Sequence, residues 1–193
     1  MSTVQTCPNC SSADARSVFT DANNHVVECT GCRLQYAQAY PDYSDADAEI
    51  YNHDYFAGAT DAAARGRRER VFGHRMAEGD AILGRCGRLL DVGAGEGTLM
   101  RIARDRGWEA EGTDISSAMI PMIRERFGMT VHHGALEDAA LAEGSFDALV
   151  MNHVLEHVRN PNTTLRKVAA LLVPDGGARI EVPNIASLSS RVK

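Results

Sequence analysis

The sequence lacks the features that would place it among membrane, secreted or nucleic-acid-binding proteins. No apolar run approaches the roughly 18–20 residues that a bilayer-spanning helix needs. Residues 1–5 do not open a signal peptide, because no charged segment leads into an apolar one. The 20 Lys and Arg residues are outnumbered by 26 Asp and Glu, a formal net charge of −6. We therefore expect a cytoplasmic protein with no membrane span, and the acidic balance argues against a nucleic-acid partner.

Internal repeats and low-complexity segments are also absent, which leaves an ordinary globular composition. The chain has 193 residues, of which 44% are hydrophobic and 24% are charged. Such values exclude a wholly disordered, collagen-like or coiled-coil chain. The length leaves room for one α/β domain plus a small appendage.

Four of the five cysteines form two C-x-x-C pairs, and 18 residues separate the pairs. This spacing is typical of a zinc site. We expect Cys7, Cys10, Cys29 and Cys32 to hold a structural zinc ion, because four protein thiolates fill its tetrahedral coordination. About 40 residues bury too little core to fold unaided, so a metal would supply folding energy. Reduced thiols or disulfides are the alternative.

Three zones follow one another along the chain. Residues 1–40 form the zinc-ribbon-like unit, residues 41–87 form a connector or lid, and residues 88–193 form the core. The connector begins with acidic, Tyr-rich sequence and ends in a helix predicted from about Asp61. The apolar side of that helix is predicted to carry Val71, Phe72, Met76, Ile82 and Leu83.

Strand and helix signals alternate through the third zone, a pattern that indicates parallel βαβ units. The predicted strands are 88–92, 108–114, 129–132, 146–151 and 178–182. The predicted helices are 98–106, 116–127 with Pro121 inside it, and one that Asn160 and Pro161 open. Leu165, Val168 and Leu172 are expected to be the apolar residues of that last helix.

A glycine-rich turn lies between the first predicted core strand and its helix. Residues 89–97 read LLDVGAGEG, and Asp114 ends the next strand. Glycines let the backbone approach a ligand, and the helix N-terminus presents free N–H groups. A carboxylate in the position of Asp114 can accept hydrogen bonds from ribose hydroxyls. Together these features predict a nucleoside site at the carboxyl edge of a parallel sheet. The G-x-G-x-G spacing disfavours a nicotinamide enzyme, for which G-x-G-x-x-G is typical.

Four segments together resemble the class I S-adenosylmethionine-dependent methyltransferases, specifically the subgroup with an N-terminal zinc-binding knuckle. They are LLDVGAGEG (89–97), GTDIS (112–116), GSFDALVMNHVLEHVRNP (144–161) and LLVPDGGARIEVPN (171–184). The resemblance implies a Rossmann-like, doubly wound, mainly parallel sheet that binds S-adenosylmethionine. It covers nearly the whole chain and says little about the acceptor.

The resemblance also implies which residues bind the cofactor. Gly93, Ala94, Gly95 and Gly97 would wrap its methionine part, with Asp91 near the amino group. Asp114 would hold the ribose, and Ile115 would pack on adenine. Leu136, through its backbone, or Glu137 would border the adenine edge, since Ala135 replaces the Asp of many relatives. Asn152 would lie near the sulfonium, and Tyr55, with Tyr51 and Phe56, would form a lid.

His153, Glu156 and His157 would share one face if their segment were helical. The resemblance offers a catalytic base, with His153 or His157 ahead of Glu156. A divalent cation at the same three residues is an alternative, since some relatives carry E-x-x-E-H here. A packing role is another. On the connector, Arg65, Arg67, Arg68 and Arg70 are either a solvated helix face or a clamp for an acceptor's carboxylate or phosphate.

Relatives complete their sheet with two further strands that cannot be located here. We therefore expect either a fragment of a longer protein or a homodimer that covers the exposed sheet edge. The expected function is methyl transfer to a small-molecule acceptor such as a sugar, a lipid-like compound or a secondary metabolite. A cofactor-binding module that acts through a protein or carrier partner is the alternative, and a nicotinamide enzyme is a third hypothesis that the glycine spacing disfavours. RNA methylation through the zinc ribbon is a further alternative that the acidic charge disfavours.

Overall fold

The computed structural model describes residues 6–21, 25–38, 62–158, 160–184 and 187. Its N-terminal part is a small antiparallel sheet in the order β1-β2-β3. The strands are β1 (Ala15–Thr20), β2 (His25–Cys29) and β3 (Gln35–Ala37). A four-residue core of Cys7, Val27, Cys29 and Tyr36 is buried against this sheet. So small a core agrees with the expectation that a metal supplies part of the folding energy.

The larger part is a five-stranded sheet in the order β6-β5-β4-β7-β8, and all four of its strand pairings are parallel. The strands are β4 (Arg88–Val92), β5 (Glu109–Asp114), β6 (Val131–His133), β7 (Phe146–Asn152) and β8 (Leu172–Glu181). The helices are α1 (Ala62–Leu83), α2 (Thr98–Asp105), α3 (Met119–Phe127) and α4 (Pro161–Leu171). The chain runs outward from β4 through β5 and β6, and then returns to β7. A ligand crevice therefore belongs at the carboxyl ends of β4 and β7, where the strand order reverses.

Alternate residues of β4 and β7 enter different cores, as expected for strands covered on both faces. Leu89 and Val150 pack with Met76 of α1 and Leu99 of α2. Leu90, Leu149 and Met151 pack on the opposite face with Val168 and Leu171 of α4. The doubly wound α/β architecture predicted from the sequence is confirmed. Within the described residues, no helix combines the length and the apolar composition that crossing a bilayer requires.

The prediction for the apolar side of α1 is only partly confirmed. Phe72, Met76 and Leu83 pack against the core, whereas Val71 is 45% exposed and Ile82 is 83% exposed. At about 100° per residue, the three packed side chains fall within about 40° of one another around the helix axis. Val71 and Ile82 lie roughly 80–100° from that stripe, so one helix face cannot bury all five residues.

The last strand begins six residues earlier than predicted, directly after α4. Leu172 therefore lies in β8 and not on the helix, and Leu165 is exposed at 37%. The irregular start has a local cause. Asp175 has a φ of 65°, and a Cβ on Gly176 would lie 3.0 Å from the Val173 carbonyl oxygen. The pairing with β7 shifts register there, between Phe146 and Ala148, so the strand is bulged at its entry.

The start of α4 was predicted correctly and that of α3 was not. The Asn160 side chain accepts a hydrogen bond from Thr163 N at 3.1 Å, as an N-cap residue does. α3 begins at Met119 and not at Ser116, which places Pro121 in its first turn. Proline is tolerated there because the first N–H groups of a helix have no partner within it.

Candidate functional site at the carboxyl edge of the sheet

The glycine turn between β4 and α2 is built from left-handed backbone. Gly93, Gly95 and Gly97 have φ angles of 73°, 52° and 72°, a region that residues with a Cβ rarely adopt. A Cβ on Gly93 would lie 2.5 Å from Val154 Cγ2, so this position is also closed sterically. The N–H groups of Gly93 and Ala94 donate to the Thr113 carbonyl at 2.8 and 3.0 Å. The turn is therefore fixed against β5.

Asp114 connects the two motifs that the sequence singled out. Its Oδ2 accepts a hydrogen bond from Gly95 N at 2.7 Å, and its Oδ1 accepts one from Ser116 N at 2.8 Å. Residues 19 positions apart thus meet at the carboxyl ends of adjacent parallel strands. Each carboxylate oxygen keeps a lone pair after one such bond, so Asp114 can still accept from a ligand hydroxyl.

Asp91 lies beneath this turn as a buried acid. Burial raises its pKa well above the usual value, and the charge of Asp114 raises it further. Burial also raises the pKa of Asp114, opposed by the hydrogen bonds from Ser116 N and Gly95 N. Of the two, Asp114 is the acid whose ionised form receives N–H donors. The pair therefore favours a proton on Asp91 beside a charged Asp114.

The predicted adenine-side residues differ in what they offer. Ile115 follows Asp114 and is 44% exposed, so an apolar side chain faces outward beside the ribose-type acid. Leu136 is buried in the core on the α4 face of the sheet. The Glu137 carboxylate accepts a hydrogen bond from the Thr164 hydroxyl of α4. Its side chain is thus engaged within the fold, while the exposed Ile115 presents a free apolar surface.

Two buried acceptors without a donor lie at the end of β7. Among the described residues, Asn152 Oδ1 and Glu156 Oε2 have no hydrogen-bond partner. An unpaired buried polar atom costs free energy, so native structures rarely leave one without a partner. Asn152 is the last residue of β7 and Glu156 lies in the turn after it, so both are at the carboxyl edge of the sheet, where a bound molecule with polar donors would satisfy them.

His153, Glu156 and His157 come together, but their segment is not an α-helix, so the condition for a shared helix face is not met. His153 has a φ of 53° and precedes a single 3₁₀ turn, Leu155–His157. His153 Nδ1 lies 3.3 Å from Glu156 Oε1, and His157 Nε2 lies 4.0 Å from the same oxygen. A non-glycine residue in left-handed backbone is strained, and such strain gathers at functional sites. Glu156 lies between the two imidazoles.

Glu181 is a neighbour of this group that the sequence reasoning missed. Its Oε1 lies 3.9 Å from His153 Nε2, and its carboxylate also pairs with Arg75 of α1. The backbone N–H of His153 donates to the Glu181 carbonyl at 2.8 Å. The available signal was its place near the carboxyl end of the fifth predicted strand, where parallel-sheet ligand sites lie.

The four predicted zinc ligands converge. Their Sγ atoms all lie within 4.8 Å of one another, and the Cys7–Cys32 and Cys10–Cys29 pairs are each 3.5 Å apart. Zinc–sulfur bonds of about 2.3 Å in a tetrahedron require sulfurs about 3.8 Å apart, whereas a disulfide requires about 2.05 Å. Among the described residues, these four cysteines are the group whose ligand atoms lie close enough together to hold a metal ion. The side chains of His153, Glu156 and His157 do not converge in this way.

Two of the four thiols are held in an environment that favours the thiolate, whereas side-chain hydrogen bonds with Cys29 and Cys32 raise the pKa of the Cys10 thiol to about 12. Hydrogen bonds from the Asn9 side chain and the Leu34 backbone lower the pKa of the Cys32 thiol to about 6. Hydrogen bonding by the Cys32 backbone lowers the pKa of Cys29. The thiolate is the form that binds metal, so the cluster fits a divalent ion.

A cavity of about 490 Å³ lies elsewhere. It is lined by Arg88 and Glu109, the first residues of β4 and β5, and by Thr130, just before β6. These are the amino ends of the strands. The cavity is therefore separate from the candidate site. Tyr55, the predicted lid residue, and its neighbours Tyr51 and Phe56 lie outside the described residues.

Comparison with curated proteins finds relatives that share part of their length with this chain. A ubiquinone biosynthesis O-methyltransferase from Azoarcus sp. strain BH72 is 34% identical over 107 residues, which is 50% of this chain and 46% of that protein. One with the same name from Ruegeria pomeroyi is 35% identical over 94 residues, or 46% and 38% of the two chains. The chain thus spans less than half the length of these relatives.

Solved structures show a likeness of fold, and a family model shows the family. A SAM-dependent methyltransferase from Archaeoglobus fulgidus superposes with a TM-score of 0.55 at 23% identity, over 64% of this chain and 57% of that one. A protein from Pyrococcus horikoshii OT3 gives 0.56 at 22% identity, over 66% and 64%. Likeness at this identity shows the fold alone. The family model described as a methyltransferase domain matches residues 53–192, and the chain therefore belongs to that methyltransferase domain family.

Proposed function

We propose that this chain binds S-adenosylmethionine at the carboxyl edge of its sheet and transfers the methyl group to an oxygen of a small molecule. The observation that carries the proposal is the bond between Asp114 Oδ2 and Gly95 N at 2.7 Å. It unites a glycine turn at a helix N-terminus with a ribose-type acid in one crevice. The names of the curated relatives, O-methyltransferases of ubiquinone biosynthesis, support oxygen as the acceptor atom.

The residues present suit each part of that cofactor. Gly93, Ala94, Gly95 and Gly97 would hold the methionine part, and Asp91 would lie near its amino group. Asp114 would accept from the ribose hydroxyls, and the exposed Ile115 would pack on adenine. Asn152 Oδ1, a buried acceptor without a donor among the described residues, would face the reacting end. Leu136 and Glu137 stay predictions for the adenine edge.

The cofactor, when bound, supplies an electrophilic methyl group on a positively charged sulfur. An alcohol or phenol attacks it well only after losing its proton, so a base is required. His153 is the base we favour, because Glu156 Oε1, 3.3 Å from Nδ1, would orient the ring. His157 is the second candidate. The main tasks of the fold are then to align donor and acceptor and to exclude water.

The test of cofactor binding is calorimetry with S-adenosylhomocysteine, with NAD as the matched control. We expect S-adenosylhomocysteine to bind at one site per chain and NAD not to bind. A Gly95→Val variant serves as the negative control, because a β-branched residue cannot adopt the left-handed backbone of Gly95 without strain. Binding of NAD, or equal binding by the variant, would show that the glycine turn does not hold this cofactor.

A turnover assay distinguishes the proposed enzyme from the alternative function, a cofactor-binding module that acts through a partner. Radiolabelled S-adenosylmethionine is incubated with simple catechols, sugars and lipid-like phenols, and labelled product is measured. Methylated product supports the enzyme. Binding of S-adenosylhomocysteine without product from any acceptor class would instead favour the module. The same assay is repeated with a chelator added. Unchanged product formation would exclude a catalytic divalent cation at His153, Glu156 and His157.

We also propose that the four-cysteine cluster binds one structural zinc ion. The supporting observation is the convergence of four sulfurs with spacings close to those of a zinc tetrahedron. Since all four ligands come from protein, the ion would stabilise the small sheet and would leave no open position for catalysis. Elemental analysis of the purified protein should give one zinc ion per chain, and a Cys7→Ser variant should lower that value.

The remaining partner predictions follow from the fold and charge. β8 forms an edge of the described sheet and carries the partly exposed Ile180, with Val182 just beyond it. A homodimer through this edge stays a prediction, which light scattering tests. A cytoplasmic location and the lack of a nucleic-acid partner also stay predictions. RNA methylation would require labelled product from RNA in the same turnover assay.

A further inference from the structure

The helix before the core, α1, is joined to the glycine turn by one ion pair and to α2 by another. Arg68 Nη1 lies 2.7 Å from Glu96 Oε2, and Glu96 is the residue between Gly95 and Gly97. One residue farther along α1, Glu69 Oε1 lies 2.8 Å from Arg101 Nη2 on α2. These contacts link residues 28 and 32 positions apart. From the sequence alone, Arg68 was predicted to belong to a solvated helix face or to a clamp for the acceptor.

Glu96 creates an electrostatic problem for an anion in this turn. The backbone N–H groups of the turn and the N-terminus of α2 favour a negatively charged group, such as the carboxylate of a methionine moiety. The carboxylate of Glu96 is in the same turn, and its like charge opposes that favourable field. The Glu96 side chain is only 20% exposed, so solvent screens its charge less than on an open surface.

Arg68 is placed to remove this problem. Its guanidinium contacts the carboxylate of Glu96 and is itself 32% exposed, so the pair is partly shielded from water. Among the described residues, Arg68 forms its ion pair with Glu96. The two charges cancel, and the positive end of α2 is left to act on a ligand.

We infer that Arg68 is a positioning residue of the cofactor site, which neutralises Glu96 so that the glycine turn accepts the carboxylate end of the cofactor. This inference rests on the proposed cofactor. The inference predicts that Arg68 affects the binding of some ligands and not of others. A molecule with the amino-acid part depends on Arg68, and a molecule with only the adenosine part does not.

The experiment is a double-mutant cycle read with two ligands. Calorimetry measures S-adenosylhomocysteine and 5′-methylthioadenosine, which lacks the amino-acid part, on the wild type, Arg68→Ala, Glu96→Gln and the double variant. Arg68→Ala is expected to bind S-adenosylhomocysteine about tenfold more weakly, within the range of couplings between contacting residues. Its affinity for 5′-methylthioadenosine is expected to stay unchanged. In the double variant the affinity for S-adenosylhomocysteine is expected to return to that of Glu96→Gln.

Three results would overturn the inference. Equal binding of S-adenosylhomocysteine by Arg68→Ala and the wild type would show that the ion pair is inert. No recovery in the double variant would show that Arg68 contacts the ligand directly. A parallel loss of 5′-methylthioadenosine binding would show a general structural defect. If the wild type binds neither ligand, the proposed function fails instead.

A matched control comes from the same helix. Arg179 Nη1 of β8 pairs with Glu78 Oε2 of α1 at 2.9 Å. Glu78 lies ten residues after Arg68 on α1, farther from the glycine turn. Arg179→Ala removes a guanidinium and breaks an α1 ion pair, as Arg68→Ala does. Its affinity for S-adenosylhomocysteine should equal that of the wild type, and a tenfold loss here too would remove the specificity claimed for Arg68.

Discussion

Gly112→Ala should destabilise the core and distort the glycine turn, although it adds a single methyl group. Gly112 lies in β5, directly below the turn. A Cβ there would be 2.9 Å from both Ala94 Cβ and Met100 Sδ, and 3.1 Å from the Asp91 carbonyl oxygen. Carbon atoms pack at about 3.5–4.0 Å, so Ala94 would have to move by at least about 0.6 Å. Met100 can yield, but Ala94 belongs to a turn hydrogen-bonded to Thr113.

The expected cost is that of overpacking a well-filled core, about 1–3 kcal/mol of unfolding free energy. For a chain of this size, each kcal/mol lowers Tm by about 2–4 °C, which gives a decrease of about 2–12 °C. Trp108 is the single tryptophan and is 3% exposed within the core, so its fluorescence during urea unfolding reports on this sheet. The affinity for S-adenosylhomocysteine should fall as well, because the turn moves.

Gly73→Ala is the matched control. Gly73 lies inside α1, and a Cβ on it would meet nothing within 4 Å. The same substitution should therefore stabilise the protein by about 0.5–1 kcal/mol, since alanine favours helix over glycine. If Gly112→Ala matched the wild type in both its urea midpoint and its ligand affinity, the close packing of the turn on β5 would be refuted.

Three further predictions concern the base, one buried acid and one cysteine. His153→Ala should lower kcat by about 10²–10⁴-fold with unchanged affinity for S-adenosylhomocysteine, and an unchanged kcat in a methyl-transfer assay would exclude it as the base. Because burial raises the pKa of Asp91 in the folded protein, its contribution to stability is present below about pH 3.8 and is lost as pH rises through the folded pKa. Asp91→Asn should therefore show a smaller fall in unfolding free energy from pH 4 to pH 8 than the wild type, by urea titration, and equal falls would contradict the assignment. Cys29→Ser should reduce bound zinc, measured by elemental analysis, while the urea midpoint reported by Trp108 stays near that of the wild type. A large fall in that midpoint would mean that the two sheets unfold together.

Several features were predictable because they depend on local backbone requirements. The three glycines of the turn occupy left-handed φ angles that other residues avoid, so their spacing identified the turn. The carboxyl ends of parallel strands meet at one edge, and this placed Asp114 beside the turn before its bond to Gly95 was known. The cysteine spacing likewise predicted the convergence of four sulfurs.

Other features required contacts that periodicity cannot show. Which side of α1 is buried depended on the surface of the sheet that it covers, and Val71 proved exposed. The strand that follows α4 starts early because Leu172, which was predicted to lie on the helix, pairs with Phe146 of β7. Local propensity is a weak guide where a long-range ladder competes with it.

The sequence by itself determined the α/β alternation, the glycine turn with its partner acid, and the cysteine cluster, because each depends on residues near one another in the chain or on the fixed edge of a parallel sheet. Only the tertiary structure decided the left-handed backbone of His153, the contact of Glu181 with it, and the ion pair of Arg68 with Glu96. Each of these contacts joins residues 28 positions apart in the chain. Their positions follow from how helices and strands pack, which the local sequence pattern does not encode.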